Sequence, residues 1–455
     1  MATLLYSISL VLLPLFSLAD GGSIGVNYGR IGGDLPSAFK VTNLLKSQGI
    51  NRVRVYDTDP AVLKSLSGTG IKVTVNLPNE LLYAASRKQS FAYGWIRRNV
   101  VAYYPHTQIE AIAVGNEVFV DPKNTTGFLI PAIKNIHQAL VKYKLDSVIK
   151  LSSPVALSAL QNSYPSSSGS FRPELIEPVF KPMFEFLRET GSFLMVNAYP
   201  FFAYESNSDV ISIDYSLFKE NPGVVDPNNG LRYFNLFDAQ IDAVFAAMTA
   251  LKYDDIPLVV VENAAAYNGN LIKRVLTGGG TPLRPKANLT VFLFALFNEN
   301  KKPGPESERN YGLFYPNMEK VYNIPFTVEG LKDFSGEISP DVGKDKLQSG
   351  LDYACGEGGA DCREIQPGAT CYDPDTLEAH ASFAFNSFYQ KMGRAAGACD
   401  FDGAAYVVTE LPRFGSVNSP PDTREKGWHF CDDYVTIFIY NSFVIILMEA
   451  YIKHY

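Results

Sequence analysis

The run Ala111-Ile112-Ala113-Val114-Gly115-Asn116-Glu117 decides the fold. Its first four residues are apolar on both faces of an extended chain, which suits a strand covered on both sides. Its last three are small or polar, which suits a strand tip opening into a loop. Seven other runs share this form: 24–28, 52–57, 72–77, 150–155, 193–199, 258–262 and 291–299. Helix-like stretches lie between them at 37–48, 91–103, 130–142, 180–190, 238–251 and 263–276. Strands alternating with helices predict a parallel sheet under a helical cover. Eight such units in about 300 residues predict an α/β fold closed as a (β/α)8 TIM barrel, over residues 24–326. A doubly wound sheet would carry a glycine fingerprint after its first strand, and none is present.

The barrel is one part of a 455-residue chain. Apolar residues make up 46% and charged residues 19%, a composition that folds. The net charge of −7 excludes a nucleic-acid partner, whose phosphates demand a basic surface. All five cysteines follow residue 354, at 355, 362, 371, 399 and 431. A small α-rich module stapled by disulfides is therefore expected at 340–418, behind a linker at 327–339. Residues 1–19 read as a signal peptide, with an apolar run from Leu4 to Leu18. The predicted location is secreted, at the cell wall or in the extracellular space. Asn124 and Asn288 each head an N-glycosylation triplet. The tail, 419–455, holds an uncharged apolar stretch from Tyr434 to Met448, shorter than the about 20 residues of a membrane span. Three readings stand for it: a weak membrane association, a processed plasma-membrane anchor signal, or an aberrant end without function. A membrane enters only through this tail.

Function in such a barrel sits at the C-terminal ends of its strands. Three carboxylates fall there: Glu117 after the fourth strand, Glu262 after the seventh and Glu299 after the eighth. Asn116 and Asn197 join them, with Tyr56, Tyr199 and Phe202 nearby. The five histidines are scattered, so no metal site is expected. No cofactor is expected either. Paired carboxylates beside aromatic rings point to glycoside hydrolysis, in which one acid protonates the leaving oxygen and the other attacks the anomeric carbon when the pair is about 5 Å apart.

Three segments in order resemble plant β-1,3-glucanases of glycoside hydrolase family 17. They are Ala113-Val114-Gly115-Asn116-Glu117-Val118, Val196-Asn197-Ala198-Tyr199-Pro200-Phe201-Phe202-Ala203-Tyr204, and the stretch from Phe294 to Arg309 that contains Asn298-Glu299-Asn300-Lys301-Lys302-Pro303-Gly304. The resemblance implies retaining endo-hydrolysis of β-1,3-glucan by a monomer, in carbohydrate metabolism or plant defence. It makes Glu117 the general acid/base. It places Glu299, Lys302 and Glu308 in a supporting polar network, and Tyr56, Asn116 and Tyr199 near the bound sugar.

One departure stands out. The family's seventh strand ends in Glu-Thr-Gly-Trp-Pro, whose Glu is the nucleophile, followed by a long loop and then a helix. Here Val261 is followed at once by Glu262-Asn263-Ala264-Ala265-Ala266-Tyr267, which resembles the helix. Counted from Pro257, Glu262 stands at the nucleophile's place. Counted back from Asn263, it is the helix's own first acid, favourable at a helix N-terminus. The alternative function is thus a secreted β-1,3-glucan-binding protein whose catalysis went with the loop. The C-terminal module resembles carbohydrate-binding module family 43, through Leu351-Asp352-Tyr353-Ala354-Cys355-Gly356, Cys371-Tyr372-Asp373-Pro374 and Ala398-Cys399-Asp400-Phe401. Two of that family's six cysteines are missing, and the resemblance pairs Cys362 with Cys371. The module's candidate aromatic platform is Tyr372, Phe383, Phe388 and Tyr389, more than half of which are expected in its core instead.

Overall fold

The computed structural model describes residues 22–447, apart from 264–267, 305, 322–323, 334–339, 373–374, 376, 394–397, 399–400, 402–404, 409–436 and 441–442. The signal-peptide region, Cys399 and Cys431 lie outside the described residues. Glu262 and Asn263 are described by their backbone alone.

Eight strands form the barrel: β1 (Ser23–Tyr28), β2 (Arg52–Val55), β3 (Lys72–Leu77), β4 (Gln108–Val114), β5 in two pieces (Lys150–Ser152 and Val155–Ala156), β6 (Leu194–Ala198), β7 (Leu258–Asn263) and β8 (Thr290–Phe294). Each pairs in parallel with its neighbours. The first piece of β5 pairs with β4 and the second with β6, so the sheet curls until the interrupted strand closes it. Pro154 lies at the interruption, where a residue without an N–H cannot join a ladder.

Alternation along the strands sorts their side chains into two layers. Val53, Val73, Ile112, Val196, Val260 and Val291 pack with the helices in the main core. The alternate residues point into the barrel, where Ala113, Met195, Val259, Val261 and Phe292 form a separate small core. Polar interior residues are equally buried, among them Asn27, Arg54, Thr74 and Ser152. The interior is thus filled, and its open end lies at the strand tips.

The seventh unit departs from expectation. The helix read as starting at Asn263 begins at Asn268, while Asn263 remains in β7, opposite Phe294 of β8. Backbone pairing with β8 holds the chain extended past the point where local helix propensity would turn it. In the eighth unit the ladder ends at Phe294, short of the expected Glu299, and Phe297 makes an isolated bridge to Phe314.

The C-terminal module packs helix Pro340–Cys355 against helix Leu377–Lys391. Its core holds Leu347, Ala354, Ala381, Ala384 and Phe385. Of the four platform candidates, Phe388 and Tyr389 are buried in the same core, at 8% and 6% exposure. The expected Cys362–Cys371 pair is not formed: Cys362 is bonded to Cys355, Cα to Cα 5.7 Å. The turn after helix Pro340–Cys355 folds back through Gly358 and Ala360, whose N–H groups donate to Tyr353 and Ala354, and so returns Cys362 to the helix end. Cys371 is itself disulfide-bonded. The apolar tail contains two antiparallel strands, Ile437–Tyr440 and Phe443–Leu447, the latter parallel to Ala405–Val408. Among the described residues no helix is long and apolar enough to cross a membrane.

Candidate active site

Glu117 occupies the first residue beyond the β4 turn, and three neighbouring segments fix its backbone. Gly115 donates its N–H to Leu77 O at the tip of β3 (2.8 Å). Asn116 and Asn79 exchange two hydrogen bonds, Asn116 N to Asn79 Oδ1 at 2.8 Å and Asn79 Nδ2 to Asn116 O at 3.0 Å. Glu117 donates its N–H to Pro154 O, in the gap of β5 (2.9 Å). The turn needs glycine at 115: φ is +70°, and a Cβ there would meet Val118 Cγ2 at 2.5 Å. Glu117 itself is left-handed, φ 49° and ψ 43°, an unfavourable conformation for a residue with a side chain.

The Glu117 carboxylate is held from β6. Asn197 Nδ2 donates to Oε1 at 2.7 Å, and the Tyr199 hydroxyl donates to the same oxygen. Burial, followed by the negative charge of Glu117, pushes the Tyr199 phenol far above its ordinary value, so it stays a donor. Asn197 and Tyr199 are interior alternates of one strand and its exit, which is why both reach the same acid.

Arg54 lies beneath this pair. It is fully buried on β2, donates from Nη2 to Asn116 Oδ1 (2.8 Å), and lies 4.6 Å from the centre of the Tyr56 ring. Its Nε and Nη1 have no partner among the described residues. The sequence reading passed over Arg54; the signal available was a charged residue between Val53 and Val55, at an interior position of the strand. Tyr56 donates to Asn27 Oδ1 (3.3 Å). Burial raises the Tyr56 phenol to about 12, against the lowering effect of Arg54.

Glu299, Lys302 and Glu308 form the opposite wall. Glu299 is 3% exposed, and its Oε1 accepts the Ile31 N–H at 2.7 Å, which ties the eighth loop to the first. Burial raises its pKa, opposed by the Ile31 N–H and by Lys302. Lys302 pairs with Glu308 at 2.8 Å and sits 3.9 Å above the Phe294 ring. These three acids and bases build the wall rather than offer a free carboxylate. Aromatic rings complete the mouth: Phe294 meets Tyr56 and Tyr311 edge-on, and Phe202 lies against Tyr199. A cleft of about 370 Å³ opens beside Tyr199 and Phe202 and runs to Ser163, Asn207 and Gln240. Aromatic faces interleaved with hydroxyls and amides suit a pyranose ring, apolar on its faces and polar on its rim.

The structure therefore brings Glu117, Asn116 and Tyr199 into one hydrogen-bonded group with Asn197 and Arg54, and the Tyr56 ring lies against the Arg54 guanidinium beside it. The Glu262 side chain lies outside what is described, and its backbone pairs with Ala198 and Leu293. Asn124 and Asn288 are both exposed, the first in the loop that leaves Glu117. No cluster of metal-binding side chains occurs among the described residues.

Comparison with known proteins adds lineage to this geometry. Residues 24–326 match the model of glycosyl hydrolases family 17, and residues 337–406 match the X8 domain. Glucan endo-1,3-beta-glucosidase 3 of Arabidopsis thaliana is 41% identical, over 92% of this chain and 90% of its own. The aligned stretch spans 450 positions, whereas 92% of the 455 residues is about 419, so about 30 positions have no counterpart here. The glucan endo-1,3-beta-D-glucosidase of Olea europaea is 35% identical over 92% of this chain and 98% of its own. Among solved structures, a beta-1,3-glucanase and allergen of Cryptomeria japonica pollen superposes with a TM-score of 0.65 at 40% identity, over 67% of this chain and 99% of that one.

Proposed function

Because the chain belongs to glycosyl hydrolase family 17, we propose that it is a glucan endo-1,3-β-glucosidase, cutting β-1,3-glucan at internal linkages in the plant cell wall. The observation that carries this reading is the Glu117 carboxyl, fixed at the mouth of the barrel by two donors from β6 beside an aromatic cleft. In that role Glu117 gives its proton to the oxygen of the leaving glucan and later takes one from water. Asn197 and Tyr199 hold it at the angle the leaving oxygen requires. Tyr56, Phe202 and Phe294 supply apolar faces for the sugar and keep water from the cleft. The retaining course needs an attacking group across the sugar from Glu117, at the tip of β7.

The X8 module supports retention on insoluble glucan. The Cys355–Cys362 bond and the exposed acceptor asparagines Asn124 and Asn288 support a secreted, extracellular protein, since disulfides persist in oxidising compartments. The reading is of a monomer that meets its polysaccharide without a cofactor.

The test is reducing-end release from a soluble β-1,3-glucan by the full chain and by Glu117→Gln. Glu117→Gln lowers turnover about 10²- to 10⁴-fold and leaves glucan binding intact. Equal rates for the two proteins would remove Glu117 from its role, and glucan binding with no turnover by the unsubstituted protein would overturn the hydrolase reading.

A further inference from the structure

The whole-chain charge of −7 hides an uneven division. Residues 81–109 and 122–145 hold eight lysines and arginines and no aspartate or glutamate. They supply the helical cover of the third and fourth units: helices Leu82–Arg87 and Gln89–Ile96 after β3, and helix Leu129–Lys142 after β4. Both helices of the third unit pack against that of the fourth. Gln89 Nε2 donates to Asn135 O at 2.9 Å, and Asn135 Nδ2 donates back to Ala85 O at 2.8 Å. The three helices therefore meet as one fixed surface on the outside of the barrel.

The bases on that surface are not neutralised. Arg87, Lys88, Arg97 and Arg98 are exposed on one side of the seam, and Lys134, Lys142 and Lys144 on the other. None of the seven has an ion-pair partner among the described residues. The eighth, Lys123, pairs with Glu80 at 3.6 Å, and the bordering acid Glu110 is taken by Arg52. Lys142 rests on a ring instead of a carboxylate, its Nζ 4.0 Å from the centre of Tyr93. A cation placed by a ring face keeps its charge for an incoming anion. Arg97 donates its N–H to Tyr93 O, so it stands one helical turn further along the same side. Lys134, Gln138 and Lys142 follow at four-residue spacing on one exposed stripe, the two lysines about 12 Å apart along the helix.

We propose that this seam is a second binding site, separate from the cleft, for an acidic polysaccharide built of uronic acids. Such a polymer repeats one carboxylate per sugar, which suits a row of unpaired bases. Its hydroxyls suit the amide of Gln138 between the two lysines. The exposed residues of helix Leu129–Lys142 are Pro131, Lys134, Gln138, Val141 and Lys142. That face carries no aromatic or long aliphatic side chain to enter a bilayer. The site would hold the protein on an acidic matrix while the cleft stays open to neutral glucan. The choice of polymer rests on the extracellular reading above and needs nothing from the hydrolytic chemistry.

The experiment measures binding of the full chain to polygalacturonate, to its fully methyl-esterified form and to vesicles containing anionic phospholipid. Polygalacturonate binds, and raising sodium chloride from about 50 to about 300 mM weakens it about tenfold. The esterified polymer, with the same backbone and no charge, does not bind. The combined variant Arg97→Gln, Lys134→Gln, Lys142→Gln loses about tenfold or more in affinity for polygalacturonate. A control with the same charge change, Lys219→Gln, Lys273→Gln, Lys286→Gln, stays within about twofold of the unsubstituted protein. Both variants keep its thermal midpoint and its binding of soluble β-1,3-glucan, which shows that they fold. Equal losses in the two variants overturn the proposal, because net charge and not this seam would then govern binding. So does failure of the unsubstituted protein to bind polygalacturonate, or tighter binding to the vesicles. Failure to bind or cut β-1,3-glucan counts against the glucanase reading alone.

Discussion

At Glu117 the protein spends two donors on one carboxylate oxygen. Every side-chain hydrogen bond to this acid described above ends on Oε1, so Asn197 and Tyr199 set its angle about the barrel axis. Removing the phenol frees that angle without removing the acid. Tyr199→Phe lowers kcat about tenfold with KM within about twofold, measured on soluble glucan, because misplacement of a catalytic group costs rate more than binding. A parallel rise in KM would show that Tyr199 acts on the sugar and not on Glu117. The sequence announced Glu117, Asn116 and Tyr199, because a polar residue closing an apolar strand has few other duties. It did not announce Arg54, whose meaning depends on strands 2, 4 and 6 meeting in space. Spacing alone left Glu262 either at the strand tip or at the helix start; the ladder with Ala198 and Leu293 keeps its backbone in β7, a property of the closed sheet.

Among the elements, helix Leu236–Ala250 carries an unusual load of buried acid. Asp238 is paired with Arg274 at 3.0 Å. Asp242, one turn further, is fully buried; its Oδ2 accepts the Leu283 N–H at 2.7 Å, and its Oδ1 has no partner among the described residues. Burial raises the Asp242 pKa to about 6, opposed by the nearby Thr281 hydroxyl, the Leu283 N–H and the nearby Tyr233 hydroxyl and reinforced by Asp238. The fold thus prefers this acid protonated. Its stabilising contribution is complete below the unfolded carboxylate value of about 3.9 and is lost as pH rises through about 6. Asp242→Asn therefore raises the thermal midpoint at pH 8, by about 2 kcal/mol of stability, and leaves it unchanged at pH 4. An equal effect at both pH values would assign it to packing instead. The eight strands were legible because each is apolar on both faces. The end of β7 was not, because Asn263 opens a run with the composition of a helix start, and pairing with Phe294 of β8 keeps Asn263 in the strand.

On the scale of the whole molecule, barrel and module rest on different physics. The barrel has a continuous core and needs no covalent staple. The module has a short core, and the loop closed by Cys355–Cys362 spans seven residues. Closing a loop of that size is worth about 2 kcal/mol by chain entropy. Replacing both cysteines by Ser lowers the module's unfolding midpoint and weakens retention on insoluble glucan, while the rate on soluble glucan stays within about twofold, in the same preparation assayed on both substrates. An equal loss on soluble glucan would mean that the module helps the barrel to fold.

The split in β5 has a consequence for the order of events during synthesis. The carbonyl freed at Pro154 receives the N–H of Glu117, and the donors to its carboxylate come from residues 197 and 199. A nascent chain that has emerged only as far as β4 holds the acid's residue but not its seat. The seat exists once the barrel's seam has formed, so a partly made chain carries no poised proton donor.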